Sequence, residues 1–332
     1  MTSYIIRRFL YMIITLLAVS VVAFIIIQLP PGDYLTTLVE NLRASGVEVD
    51  EEMVRSLEKQ YGLDLPLHAQ YLKWMWNMLH GDFGRSFQWN EPVSKLIAAR
   101  LPLTIVISLF TLIFTYVVAI PIGIYSATHQ YSIGDYIFTV VGFIGLATPN
   151  FLLALVLMFI FYKYFGLSAG GLFSPHYQLA PWSVAKVIDM LKHLPIPVIV
   201  IGTAGTAGLI RVMRGCLLDE LRKQYVITAR AKGVAERVLL FKYPVRVAIN
   251  PVISTIGWEL PGIVSGETIT AIVLSLPTTG PLLFRALMAQ DMYLAGSTVM
   301  FLTSLTVIGT LLSDILLAWI DPRIRYEKGA QQ

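Results

Sequence analysis

Six mostly apolar stretches punctuate the chain, and each is long enough to be weighed as a membrane span. A helical span needs about 20 mainly apolar residues. Phe9–Leu29, Leu101–Thr128 and Tyr136–Tyr162 contain no charged residue. Leu194–Ile210 is shorter and is interrupted by Pro195, Pro197, Gly202, Gly205 and Gly208. Val247–Ser275 carries Glu259 and Glu267, and Met292–Ile320 carries Asp314. The pattern predicts an all-α polytopic membrane protein with six transmembrane helices. The first run follows Arg7 and Arg8, as a signal peptide would. It exceeds the ~7–15 apolar residues of a signal sequence, and Pro30-Pro31-Gly32-Asp33 is no small-residue cleavage site, so it reads as a retained span.

Two polar stretches stand out between these runs. The first, residues 30–100, is too long for a connector. Val49–Tyr61 has the pattern of a short amphipathic helix ended by Gly62. His68–His80 places Tyr71, Trp74, Met75, Met78 and Leu79 on one helical face. Trp74, Trp76 and Trp89 suit the headgroup layer, where a ring is half apolar and half wet. Gly81-Asp82-Phe83-Gly84 then forms a turn. This surface reads either as an aromatic rim on the membrane or as a docking site for an external partner. The docking candidates are Tyr71, Trp74 and Asp82, with Asp291 from a later loop.

The second stretch, Asp219–Arg246, is the most basic in the chain. It has Arg222, Lys223, Arg230, Lys232, Arg237, Lys242 and Arg246 against Asp219, Glu220 and Glu236. Its helical pattern is broken once, at Gly233. A basic helix–Gly–helix between two apolar runs cannot cross the bilayer, so it sits at a membrane face.

Composition agrees with the spans. The 332 residues are 56% hydrophobic and 14% charged, against about 25% charged in soluble domains. The net charge of +4 carries less information than the placement of the charges, and it does not call for a nucleic-acid partner. The single cysteine, Cys216, excludes an intramolecular disulfide framework. Arg7 and Arg8 put the N-terminus in the cytoplasm. Six spans then place 219–246 and the tail, with Arg323, Arg325 and Lys328, on the same side. Residues of about 30–100, 163–193 and 276–291 become the outward loops. The expected organisation is 1–29 for the N-terminus and first span, 30–100 for the extracytoplasmic loop, 101–320 for a five-helix core and 321–332 for a cytoplasmic tail.

Motifs for covalent chemistry are weak. Gly166-Leu167-Ser168-Ala169-Gly170 fits G-x-S-x-G, but a nucleophile elbow needs a strand before the serine, and a long apolar helix precedes this one. The histidines are scattered, and no P-loop pattern occurs, so no ATP, metal or cofactor site is expected in this chain. Glu259 is the most informative intramembrane charge, because a carboxylate at that depth needs a cavity or a partner. Glu267 lies eight residues on, about two helical turns. With Ser265 these residues are candidates to line a polar path.

Tyr225–Gly233, YVITARAKG, resembles the cytoplasmic loop of an ABC-importer permease of the dipeptide/oligopeptide/nickel family, first permease subunit. Pro31-Gly32-Asp33, Tyr61-Gly62-Leu63-Asp64, Gly81-Asp82-Phe83-Gly84-Arg85-Ser86, Arg100-Leu101-Pro102 and Asp321-Pro322-Arg323 resemble further motifs of that family in order. The resemblance implies a six-helix bundle of the type I importer permease fold in a bacterial or archaeal cytoplasmic membrane. It implies a second homologous permease subunit, two cytoplasmic ATPase subunits or domains that bind ATP and magnesium, and an extracytoplasmic substrate-binding protein. It makes Val226, Thr228, Ala229, Arg230, Lys232, Gly233 and Val234 the surface that couples to the ATPase. The cargo stays open among peptides, oligosaccharides and nickel chelates. Two departures are visible. Ala235 stands where a serine would cap the second short helix, and the segment after Glu267 is longer than the family pattern and lacks its Phe. An ion-coupled carrier is the rival reading, and it calls for internal repeats and paired intramembrane charges. A hydrolase built on Ser168 is a further rival.

Overall fold

The structure is a computed structural model that describes residues 2–28, 65–166, 170–265 and 268–320, with isolated positions 39, 52, 54 and 55. The expected Val49–Tyr61 helix, the Pro31-Gly32-Asp33 and Tyr61–Asp64 motifs, Ser168, Glu267 and the tail 321–332 lie outside the described residues, as does the Ser265 side chain. Sixteen helices are described: α1 Thr2–Gln28, α2 Leu67–Leu79, α3 Val93–Ala98, α4 Leu101–Thr128, α5 Ile133–Ala147, α6 Asn150–Phe165, α7 Pro175–Gln178, α8 Val184–His193, α9 Pro195–Leu221, α10 Gln224–Ala231, α11 Glu236–Lys242, α12 Pro244–Ser254, α13 Ile256–Ser265, α14 Thr268–Val273, α15 Thr279–Met288 and α16 Met292–Ile320. Among the described residues the only β pairing is an isolated bridge between Arg85 and Pro92.

Four continuous segments are long and apolar enough to span: Ile6–Ile26, Val93–Thr128, Pro195–Leu221 and Met292–Ile315. The third apolar run is divided into α5 and α6, bent by 107°. The residue before a proline avoids helical backbone. Thr148 is accordingly extended at ψ 120°, and Pro149 opens α6. Counting that pair as one span gives five. The fifth run, Val247–Ser275, is divided among α12, α13 and α14, none of spanning length alone. The fourth run extends beyond its apolar stretch to Leu221.

The chain forms two compact units. One comprises Thr104–Pro277 and the chain from Ile308 onward; the other comprises Thr2–Leu103 with Thr278–Val307. In the first unit α9 packs against α5, α6 and α12. Its core joins Ala119 and Ala127 of α4, Leu209, Met213 and Leu217 of α9, and Val245, Ala248 and Val252 of α12. Gly123 permits the closest approach: a Cβ there would lie 2.7 Å from the Met213 Cβ. In the second unit Val93, Leu96 and Ile97 of α3 pack with Leu282, Ala286, Leu294 and Ala295. Beside them Phe24, Trp74, Phe87 and Met292 form an aromatic cluster.

Candidate functional site

The basic stretch folds as a tight helix pair. α9 ends at Leu221, and α10 begins after Arg222 and Lys223. Tyr225 donates its hydroxyl to the Glu220 carboxylate, tying the start of α10 to the last turn of α9. Burial and that carboxylate both push the Tyr225 hydroxyl above its ordinary range.

α10 stops at Gly233, which takes φ +78°. The Gly233 N–H donates to the Arg230 carbonyl at 3.0 Å, and the Val234 N–H donates to the Ala229 carbonyl at 3.3 Å. These two bonds define a Schellman motif, whose left-handed position is cheapest for glycine. Val234 folds back onto Ala229, completing the usual hydrophobic contact, and joins Val226, Leu239 and Tyr243 in a small core. Arg230 reaches across the turn to Glu236 with two bonds, 2.6 and 3.1 Å. The hydrogen bond from Arg230 holds the Glu236 carboxyl below the ordinary range.

The structure therefore divides the expected coupling residues by role. Val226 and Ala229 are 0% and 7% exposed and make the interior of the pair rather than its outer face. Arg230 is engaged within its own chain. Thr228, Lys232 and Gly233 are exposed, as are Tyr225 and Ile227. Thr228 returns its hydroxyl to the Gln224 carbonyl at 2.8 Å. α11 starts at Ala235 with no side-chain cap, and the Arg230–Glu236 bridge fastens the same end. Pro244, buried, begins α12 directly after Tyr243. With such short links at both ends, the pair is firmly attached to α9 and α12.

A second polar contact on α9 was not signalled by the sequence reading. Arg214 donates to Asp135 at 3.1 Å. Asp135, on the first turn of α5, also accepts the Tyr131 N–H at 3.1 Å, and its own N–H donates to the Ser132 hydroxyl at 3.2 Å. The pair thus joins the α4–α5 corner to the helix that leads into the α10–α11 pair. The available signal was Arg214 itself, a cation in the C-terminal half of an apolar helix that should point at an acid.

Glu259 lies on the first turn of α13. A Cβ on Gly205 would meet its Oε2 at 3.1 Å, so the carboxylate rests on the glycine face of α9. Among the described residues no hydrogen bond or ion pair to its side chain is formed. Close by, the hydroxyls of Tyr116 and Thr255 are 2.5 Å apart, and Tyr116 also donates to the Val252 carbonyl at 3.2 Å.

The expected docking residues separate in the same way. Trp74 and Asp291 are 3% and 0% exposed, which corrects their assignment to a docking surface. Trp74 packs on Phe24 and Tyr71. Asp291 accepts from the Ser86 hydroxyl at 2.5 Å, the Gln88 N–H at 3.2 Å and the Leu294 N–H at 3.1 Å. It therefore caps α16 and pins the turn around Ser86 at once. Burial pushes its carboxyl above the ordinary range against those bonds. Tyr71 is half-buried, with its hydroxyl 2.8 Å from that of Ser20. Asp82 is exposed and accepts from the Gly84 N–H at 2.9 Å.

Residues 119–326 match the family described as the binding-protein-dependent transport system inner membrane component. Residues 1–109 match the N-terminal part of the membrane components of such systems. The oligopeptide transport system permease protein AppB of Bacillus subtilis is 37% identical over 328 residues, covering 98% of this chain and 100% of the relative. The dipeptide transport system permease protein DppB of Alkalihalophilus pseudofirmus is 30% identical over 339 residues, covering 98% and 100%. The oligopeptide transport system permease protein OppB of Haemophilus influenzae is 31% identical over 328 residues, covering 98% and 100%.

Proposed function

The chain belongs to the binding-protein-dependent transport system inner membrane components, and on that premise we propose that it is the permease subunit of an ATP-driven peptide importer. It forms half of a translocation pathway, and a second, homologous permease forms the other half. Peptides arrive from an extracytoplasmic binding protein, and two cytoplasmic ATPase subunits or domains hold ATP and magnesium. The names of the relatives, oligopeptide and dipeptide permeases, support peptides as cargo.

The observation that carries the mechanism is the helix pair α10–α11. Its interior is its own, its outer face is exposed, and its two ends run with little slack into α9 and α12. Such a body moves as a unit when a partner closes on it. Ile227, Thr228, Lys232 and Gly233 present its face to the ATPase. Val226, Ala229, Val234 and Arg230 keep its shape. Motion of α9 then shifts Gly205 against Glu259, which lines the path. The Arg7–Arg8 flank supports a cytoplasmic N-terminus, and with it a cytoplasmic face for the helix pair and the tail. Tyr71 and Asp82 belong to the opposite, extracytoplasmic side, where the binding protein docks.

The test is uptake of labelled peptide by the assembled transporter in proteoliposomes. Uptake requires ATP and the binding protein, and a cysteine at Ile227 crosslinks to the ATPase. Uptake that survives ATP removal and collapses with an ion gradient would overturn the reading. Crosslinking absent from a complex that still transports would overturn the coupling assignment alone.

A further inference from the structure

The loop between α6 and α9 turns two of its charged groups inward. Leu172 and Phe173 are buried, and the Gly171 N–H donates to the Leu274 carbonyl at 2.6 Å. Lys186, on α8, is 6% exposed. Its ammonium donates to the carbonyls of Ala180 at 2.6 Å and Gln178 at 3.4 Å. It also lies 4.9 and 5.3 Å from the ring centres of Phe173 and Trp182. Asp189, one turn on, is 8% exposed and accepts the N–H and hydroxyl of Ser174 at 2.7 and 2.6 Å. Both mid-helix charges are thus consumed inside the loop.

The outward face of α8 has the opposite character. Val184, Val187, Ile188 and Leu191 are 78%, 39%, 48% and 45% exposed. Their spacing of i, i+3, i+4, i+7 makes one continuous stripe. Trp182 and Leu179, just before the helix, are 61% and 99% exposed. A helix in water turns such a stripe to the core and its charges outward; on α8 the apolar stripe faces out while Lys186 and Asp189 face in, so its outer face meets an apolar medium. The adjoining chain indicates which medium. α6, leading into the loop, ends with exposed Tyr162 and Tyr164, between which the Lys163 ammonium lies 5.4 and 5.5 Å from the rings of Phe159 and Tyr164. Aromatic and basic residues gathered at a span end mark the headgroup layer. Only Leu194 separates α8 from α9, which holds α8 near the mouth of that span.

We propose that α8 is an in-plane membrane anchor, with its apolar stripe and Trp182 set among lipid acyl chains and Lys192 reaching the headgroups. The lipid surface is the partner, and the cage around Lys186 and Asp189 is what frees the outer face for it. In-plane helices of this kind sink their apolar side to the boundary between headgroups and chains. The long stem of Lys192 lets its charge stay in the wet layer.

The experiment uses the assembled transporter in nanodiscs of phosphatidylcholine and phosphatidylglycerol, with the lone Cys216 replaced by Ala. Nitroxides are placed singly at Val184, Val187, Ile188 and Leu191, and at exposed Glu91 as the aqueous reference. Oxygen should collide with the four α8 labels more often than a water-soluble nickel chelate does, and the order should reverse at Glu91. Preferential access by the nickel chelate would place the stripe in water. Labels immobilised and shielded from both agents would place it under a protein, such as the second permease subunit. Either result overturns the proposal. Independently of labelling, lipids brominated on their acyl chains should quench tryptophan emission measurably less in Trp182→Phe than in the parent. An unchanged quenching ratio would also overturn it.

Discussion

Replacing Gly233 separates backbone strain from crowding. Its φ of +78° costs an L-residue about 1–2 kcal/mol. Nothing lies within 4 Å of the position a Cβ would take, so alanine adds strain with no clash. Valine adds the further penalty of a branched Cβ in that region. Asparagine tolerates it, because its short amide can bond locally. Opening the turn relieves the strain but exposes the core of Val226, Ala229 and Leu239. An alanine cost of about 1–2 kcal/mol therefore raises the opened population roughly 5–30-fold. Amide hydrogen exchange over residues 224–242 reads that population in the purified complex, and ATPase stimulation by the binding protein reads the coupling. Protection should fall from glycine through asparagine and alanine to valine, and stimulation should fall in the same order. Asparagine as damaging as valine, or alanine indistinguishable from glycine, would refute the left-handed turn as the holding element. Exchange in the expected order with unchanged stimulation would leave the turn a part of the fold and remove it from coupling.

The other expectations follow from single contacts. Asp291→Ala strips a helix cap, worth about 0.5–2 kcal/mol, and leaves the buried Ser86 hydroxyl and Gln88 N–H without their acceptor. A loss of about 2–4 kcal/mol should appear in thermal unfolding, partly restored in Asp291→Asn; a loss below about 1 kcal/mol would contradict the pinning role. Gly123→Ala drives a methyl to within 2.7 Å of Met213, an overpacking cost of about 1–3 kcal/mol. Gly208→Ala meets nothing within 4 Å and should instead stabilise by about 0.5–1 kcal/mol through helix propensity; equal effects in a melting assay would dismiss the packing argument. Burial pushes the Asp189 carboxyl up, but the bonds from Ser174 outweigh it and hold the carboxyl below its ordinary range. A folded-state pKa below the unfolded one gives stability that is present above about pH 4 and is lost as pH falls through the folded value. Exchange over residues 170–194 should therefore rise on acidification in the wild type and show no such step in Asp189→Asn. Glu259→Gln should lower peptide uptake with little change in melting temperature, and equal uptake at every peptide concentration would remove Glu259 from the path.

Most of what the sequence discloses correctly is local. A bilayer leaves a spanning backbone little choice except helix, so apolar runs alone locate α1, α4, α9 and α16. Gly233 is legible because the geometry of a left-handed C′ residue is settled within about six residues of chain. Pro149 is visible as a perturbation, but its consequence, a 107° bend, depends on what α5 and α6 pack against. The polar contacts are less legible still. Arg230 and Glu236 are six residues apart, a spacing that no single helix brings together, and only the reversal at Gly233 makes them neighbours. Ser86 and Asp291 meet across 205 residues of chain.

The residues misplaced by sequence reasoning share one physical cause. A charged or polar-tipped side chain in a loop looks available, so Trp74 and Asp291 read as docking groups. In a chain whose surroundings are largely apolar, a polar group gains most by finding another polar group of the same chain, because neither lipid nor core supplies one. Inward satisfaction is therefore the default, and it is what Asp291, Asp135, Lys186 and Asp189 all do. The exceptions then carry the information. Glu259 keeps its carboxylate against the bare backbone of Gly205, while Arg214, further along that helix, is spent on Asp135. Among the described residues Asp291, Asp135, Lys186 and Asp189 are engaged within the chain, whereas the half-buried Glu259 carboxylate is left open to a partner from outside the chain, as a group lining a path for polar cargo would be.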